Sequence, residues 1–73
     1  MSIHIKIVCK GKPDELQKAI NKVITDYITT EYKKYGRYTS VKDIKYTHTV
    51  LPPIHFAHSP EHWFTAYITF FTP

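Results

Sequence analysis

Cysteine is almost absent from this sequence, which contains only Cys9. A lone cysteine forms no disulfide within the chain, so stability must come from packing, and we expect a reducing compartment, the cytoplasm. Long apolar runs are also absent, since the longest is far shorter than the roughly 20 residues that span a bilayer. No basic segment followed by an apolar one precedes the first strand-like segment, so we expect neither a membrane span nor a secretory leader.

Motifs that bind cofactors or support catalysis are missing as well. The sequence has two glycines and contains no glycine-rich phosphate loop or dinucleotide fingerprint. Its six carboxylates leave few acid–base pairs. Cys9 falls in the inward phase of the first predicted strand, where a free thiol behaves as a small hydrophobe. We therefore expect a protein that is not an enzyme and has no cofactor.

The sequence is rich in aromatic side chains and carries a moderate positive charge. Aromatic residues make up 15% of the 73 residues, and the net charge is +4. Basic residues are densest at Lys33, Lys34, Arg37, Lys42 and Lys45. A chain of this length has room for one core, so we expect a single domain over residues 1–73, with some aromatic rings at the surface for recognition.

The periodicity of the apolar residues predicts four elements. Residues 3–9 alternate between apolar and polar side chains, as a half-buried strand does. An amphipathic helix is expected from residue 13 to about residue 35, because apolar residues recur there at three- and four-residue steps after a proline. Alternation returns at residues 41–51 and again at 63–71, with prolines ending the second strand.

This order of elements predicts an α+β domain of βαββ type. A right-handed crossover makes the first two strands parallel, and the last strand then runs antiparallel to both. The last strand is the most apolar on both faces, so we place it in the centre of a three-stranded antiparallel sheet with order 1-3-2. One helix packs on this sheet, and the opposite face is left bare.

Alternation along the strands assigns the side chains to the two faces. The helix-covered face is expected to take Ile5, Ile7, Ile44, Tyr46, Phe64, Ile68 and Phe70. The bare face is expected to hold His4, Lys6, Val8, Lys45, Thr47, Thr49, Leu51, Thr65, Tyr67, Thr69 and Phe71. The bare face is thus a mixture of apolar and polar side chains.

We expect the bare face to meet a second copy of the chain, because burying a half-apolar sheet adds the core that a small domain lacks. The predicted interface consists of Lys6, Val8, Thr47, Thr49, Thr65, Tyr67, Thr69 and Phe71. Single-stranded nucleic acid is the alternative partner. Aromatic rings beside lysines on a bare sheet are how some RNA-binding domains stack bases and neutralise phosphates.

A second candidate site is the segment 32–40, which interleaves cations with tyrosines around Gly36. These residue types suit an anionic ligand such as a signalling nucleotide. The predicted ligand-binding residues are Lys33, Lys34, Arg37, Tyr38, Lys45 and Tyr67, the cations for phosphate and the tyrosines for stacking. The structural alternative is a helix C-terminus whose lysines complement the helix dipole.

Four histidines lie within fifteen residues, at positions 48, 55, 58 and 62. Neutral imidazole is a common ligand of zinc and nickel, so a small histidine-dependent or metal-dependent enzyme is a further alternative. The spacing matches no zinc finger, and Pro53 and Pro60 disfavour a continuous helix that would align the last three rings. We therefore expect no bound metal.

The segments 41–46 (VKDIKY) and 64–70 (FTAYITF) resemble a small group of Gram-positive bacterial and phage proteins that includes a sporulation-associated one. The resemblance implies a single βαββ domain in the cytosol of a bacterial host, with no catalytic motif. Small phage proteins often act stoichiometrically, by occupying a host protein or by sequestering a small signalling nucleotide. We therefore expect a small non-enzymatic binding protein that works as a homodimer or higher homo-oligomer.

Overall fold

The computed structural model describes residues 1–51 and 61–73. The elements follow one another as β1 (Ser2–Lys10), α1 (Pro13–Tyr35), β2 (Ser40–Leu51) and β3 (Glu61–Thr72). The predicted βαββ order is confirmed, and each boundary lies within two residues of its expected place. No helix in these two ranges is long and apolar enough to cross a membrane.

The three strands form one antiparallel sheet with the predicted order β1-β3-β2. β3 pairs antiparallel with both neighbours, so β1 and β2 run in the same direction at the two edges. A bulge interrupts the pairing of β2 between Val41 and Asp43. The central place of β3 follows from its sequence, since apolar side chains lie on both of its faces.

Helix α1 begins and ends where its sequence indicates. Pro13 stands in the first turn together with acidic residues, and basic residues stand in the last turn, which suits the helix dipole at both ends. Gly36 follows in the left-handed conformation, with φ of 64°. The amides of Gly36 and Arg37 donate to the carbonyl oxygens of Tyr32 and Glu31, which closes the helix.

The core lies between α1 and the sheet. Its buried apolar residues are Val8, Leu16, Ile20, Ala66, Ile68 and Phe70. Ile44 and Phe64 pack against this cluster, so β2 and β3 turn the predicted faces toward the helix. The helix packs mainly over β1 and β3. Tyr46, on the same face of β2, consequently remains exposed.

The predicted orientation of β1 is wrong. Val8 is only 9% exposed and pairs with Ala66, and residues paired across antiparallel strands share a face. Val8 and Lys6 therefore lie on the helix side and not on the bare face. Ile5 and Ile7, expected in the core, lie on the bare face.

The side chains that flank Val8 explain this orientation. The ring of His4 stacks on Tyr27 of the helix, with ring centroids 5.4 Å apart, and the ammonium of Lys6 lies 5.5 Å from the centroid of the same ring. Both side chains have an apolar body and a polar tip, so they cover the periphery of the core at an edge strand while their polar ends reach water. His4 and Lys6 can therefore lie on the helix side of β1 without burying a charge.

Candidate interaction surfaces

The face of the sheet opposite α1 is called the open face. The alternate residues that form it are Ile3, Ile5, Ile7 and Cys9 of β1, Ser40, Asp43, Lys45, Thr47, Thr49 and Leu51 of β2, and Glu61, Trp63, Thr65, Tyr67, Thr69 and Phe71 of β3. No element of the described chain covers it. It has a different composition on each side of β3.

The β1 side of the open face is apolar. Ile3, Ile5 and Ile7 are 57%, 56% and 64% exposed. Ile7 is paired with Tyr67, which is 39% exposed, and Ile3 is paired with Phe71. Ile3, Ile5 and Ile7 form an apolar stripe along the β1 edge of the sheet, called the isoleucine stripe below, and Tyr67 and Phe71 lie beside it on β3.

The β2 side of the open face is polar. Lys45 is paired with Tyr67, Asp43 with Thr69, and Thr47 with Thr65. The ammonium of Lys42, at the bulge, lies 5.9 Å from the centroid of the Phe71 ring. Glu61 is paired with Leu51 at the end of this half, which therefore holds two lysines and two carboxylates among the described residues.

The residues of the predicted interface lie on the expected face of the sheet except in β1. Six of its eight residues share the open face, namely Thr47, Thr49, Thr65, Tyr67, Thr69 and Phe71, whereas Lys6 and Val8 do not. The prediction missed the isoleucine stripe. The signal was present in the sequence as an isoleucine at every second position, but it was assigned to the core.

Cys9 is exposed on the open face, which contradicts its expected inward position. Its sulfur accepts a hydrogen bond from the Thr65 hydroxyl at 3.3 Å. Of the described histidines, His4, His48 and His62 lie on the helix side of the sheet. The thiol and these imidazoles therefore lie on opposite sides of the sheet.

The predicted ligand-binding residues fall into two separate groups. Lys45 and Tyr67 are cross-strand neighbours on the open face. Lys33 and Lys34 lie in the last turn of α1, with Arg37 and Tyr38 directly after it. The structure therefore does not bring the six residues together into one site.

Two of the cations at the end of α1, Lys34 and Arg37, already have partners within the chain. The Arg37 guanidinium lies 4.8 Å from the centroid of the Tyr35 ring, and its Nη1 is 3.6 Å from Oε2 of Glu31. The ammonium of Lys34 lies 5.5 Å from the same ring centroid. These contacts support the structural alternative for this segment, a helix C-terminus with complementary charges.

A small concavity does lie beside these cations. Its volume is about 290 Å³, and it is lined by Ile28, Thr29, Tyr32, Arg37, Tyr38 and Thr39. The rings of Tyr32 and Tyr38 are tilted, with centroids 5.4 Å apart. The Thr39 hydroxyl shares a 2.7 Å hydrogen bond with Thr72. Of the predicted ligand residues, only Arg37 and Tyr38 reach this concavity.

A groove lined by lysines runs between the N-terminal half of α1 and the end of β1. It is lined by Lys10, Glu15, Lys18, Ala19 and Lys22, and its volume is about 440 Å³. The sequence-based search missed it, because Lys10 belongs to the strand and the other two lysines belong to the helix. A local density of charge in the sequence does not reveal a cluster that the fold assembles.

His48 and His62 are in contact on the helix side of the sheet, near the end of β2 and the start of β3. Nε2 of His48 and Nδ1 of His62 share a hydrogen bond of 2.9 Å, and the His48 ring stacks on Phe64 with centroids 4.4 Å apart. His55 and His58 lie outside the described residues. Within residues 1–51 and 61–73 no three metal-ligating side chains come together.

Comparisons of the chain with protein-family models, with curated proteins and with solved structures found no match. The resemblance to the bacterial and phage group therefore stays a prediction. The case for a function depends on the two surfaces that the fold creates, the open face and the lysine groove.

Proposed function

We propose that the protein is a non-enzymatic binding protein whose working unit is a homodimer, formed when the open faces of two copies pack against each other. The observation that carries the proposal is the isoleucine stripe. Three isoleucines that are each more than half exposed lie side by side on a face that no described element covers. Such contiguous apolar surface is typical of a protein interface.

The accessible surface of the chain supports association. The chain exposes 5656 Å², whereas a compact monomer of its 8.6 kDa exposes about 4,700 Å². The excess is close to the roughly 800 Å² that each partner buries in an interface of standard size. The chain as a whole therefore exposes more surface than a compact monomer by about the area that one interface buries.

The arrangement of side chains favours a second copy of this chain over nucleic acid. A two-fold axis brings the same surface of both copies together, and an axis that passes through the isoleucine stripe lets the stripe of one protomer meet that of its partner. Phosphates, by contrast, need cations, and Lys6 is on the other face of the sheet. The two lysines that the described part of the open face does hold, Lys42 and Lys45, share its β2 half with the Asp43 carboxylate. Isoleucine side chains offer a nucleic acid neither stacking nor hydrogen bonds.

Sedimentation velocity at micromolar concentration tests the proposal. We expect the native chain to be a dimer and the Ile5→Lys variant to be a monomer, because a dimer would bury the new ammonium in an apolar contact. Thr25→Lys is the matched control, since Thr25 is exposed on the helix and the change in charge is the same. This control should remain a dimer.

Two results would contradict the proposal. One is a native chain that stays monomeric over the whole concentration range. The other is a dimer that survives Ile5→Lys in a variant whose circular dichroism is native. The double variant Ile5→Thr/Ile7→Thr, which keeps β-branched side chains in the strand, separates loss of association from loss of folding.

A further inference from the structure

The lysine groove brings together cations from two elements. Lys10 is the last residue of β1, and Lys18 and Lys22 lie one turn apart on α1. Residues four apart on a helix are neighbours on its surface, so the two helical ammonium groups lie side by side across from the strand. Ala19, at the same surface, leaves space between them.

The lysines of the groove outnumber the carboxylates that line it, and none of these lysines forms an ion pair within 4.0 Å in the described chain. Glu15 is the one acidic residue that lines it, against three lysines. In residues 1–51 and 61–73 the only ion pair within 4.0 Å joins Arg37 and Glu31, at the other end of the helix. Three like charges repel one another, and an anion bound among them adds attractive interactions that offset this repulsion.

We propose that this groove binds a small anion that carries two or more adjacent phosphate groups. Lysine ammonium groups act as point charges that suit phosphate oxygens, and the groove contains no arginine fork for a planar carboxylate. Its volume falls in the range of small-molecule sites, about 300–1,000 Å³. Of the described residues, none that lines the groove is aromatic, so recognition is directed at the phosphates and not at a base.

The surface beyond the groove shows why the ligand is short. A second, separate concavity farther along α1 is lined by Lys6, Asp26 and Glu31 among others, so carboxylates follow the lysines along the helix. A single-stranded nucleic acid needs a continuous track of positive charge along its backbone. The positive region here ends after about two turns of helix, which fits a diphosphate or triphosphate group.

Titration with pyrophosphate at low ionic strength, followed by amide NMR spectra, tests the inference. We expect saturable shifts confined to the amides around Lys10 and along residues 15–22. The double variant Lys18→Gln/Lys22→Gln should weaken binding by about tenfold or more. The control Lys33→Gln/Lys34→Gln removes the same charge from the other end of the helix and should bind as the native chain does.

Three outcomes would overturn the inference. The first is the absence of saturation. The second is an equal loss of affinity in both double variants, which shows attraction to overall charge and not to the groove. The third is tighter binding of a single-stranded oligonucleotide than of pyrophosphate, with shifts spread beyond the groove. Orthophosphate should bind more weakly than pyrophosphate, and equal affinity for the two would contradict the requirement for adjacent phosphates.

This inference goes beyond the proposed dimer and does not depend on it. All residues of the groove belong to one chain and lie on the helix side of the sheet. The Ile5→Lys variant should therefore bind pyrophosphate with native affinity. Failure of the dimer and failure of the groove are thus recorded in separate measurements.

Discussion

Tyr27 is the residue that joins the helix to the β1 edge of the sheet. Its ring centroid lies 4.3 Å from that of Phe70 in the core, and the ring also contacts His4 and Lys6 of the edge strand. Burial raises the pKa of the Tyr27 hydroxyl, and the neighbouring Glu31 carboxylate raises it further, while Arg37 acts in the opposite direction. The fold therefore favours the neutral form of this tyrosine.

This preference predicts a loss of stability at high pH. A raised pKa in the folded state leaves stability unaffected below the ordinary value of 10.0 and lowers it as the pH rises through the raised pKa. We expect thermal unfolding of the native chain between about pH 9 and pH 11 to show a steeper loss than that of Tyr27→Phe. Tyr38→Phe, at a ring that is 75% exposed, is the control and should keep the native slope. Equal slopes for Tyr27→Phe and the native chain would contradict this role.

At the scale of single residues, the sequence shows which side chains are charged, but it does not show which of them the fold brings together. The cations of the segment 32–40 were recognised as a cluster, and the fold uses two of them on Tyr35 and Glu31. The lysines that do face a common groove are separated in the sequence and were not recognised. Contacts between elements depend on how a helix is rotated about its axis against a strand, and no local pattern contains that angle.

Among the elements, β1 shows what alternation decides and what it leaves open. Alternation at every second residue shows which residues share a face of the strand, but it does not show which face packs against the helix. Counting apolar side chains favours the isoleucines for the core, and the pairing of Val8 with Ala66 selects the opposite orientation. For β2 and β3 the same counting gave the right result, because only one of their faces packs against buried helix residues.

The orientation of β1 predicts unequal effects of two similar substitutions. Val8→Thr keeps the shape of the side chain and places a hydroxyl in the core, so it should lower the free energy of unfolding by about 1–3 kcal/mol. Ile7→Thr, at an exposed position, should change it by less than about 0.5 kcal/mol. Both are measured by urea unfolding in the Ile5→Lys background, which removes the contribution of association. The reverse order of effects would show that the isoleucines belong to the core.

For the molecule as a whole, the small core is the dominant fact. The Cα radius of gyration is 15.6 Å, compared with about 11 Å for a compact chain of this length. The extents of 52 × 18 × 16 Å describe an elongated slab. Within residues 1–51 and 61–73, the core buries six apolar side chains, so these parts of a single copy have little apolar burial to offset their conformational entropy.

Stability should therefore depend on protein concentration. An assembly that binds only the folded chain raises the apparent Tm by mass action. We expect the Tm of the native chain to rise steadily as the protein concentration is raised about a hundredfold, and the Tm of Ile5→Lys to stay constant. A Tm of the native chain that does not depend on concentration would show that the slab is stable without a partner.

Trp63 gives the open face a fluorophore of its own. It is the only tryptophan of the chain and is paired with Thr49 on that face. All indole emission therefore originates beside the threonines of β2, on the side of the sheet away from the lysine groove. Exclusion of water from the open face shifts this emission to shorter wavelength, whereas an anion bound in the lysine groove leaves the wavelength unchanged. Tryptophan fluorescence therefore reports on the open face and not on the groove.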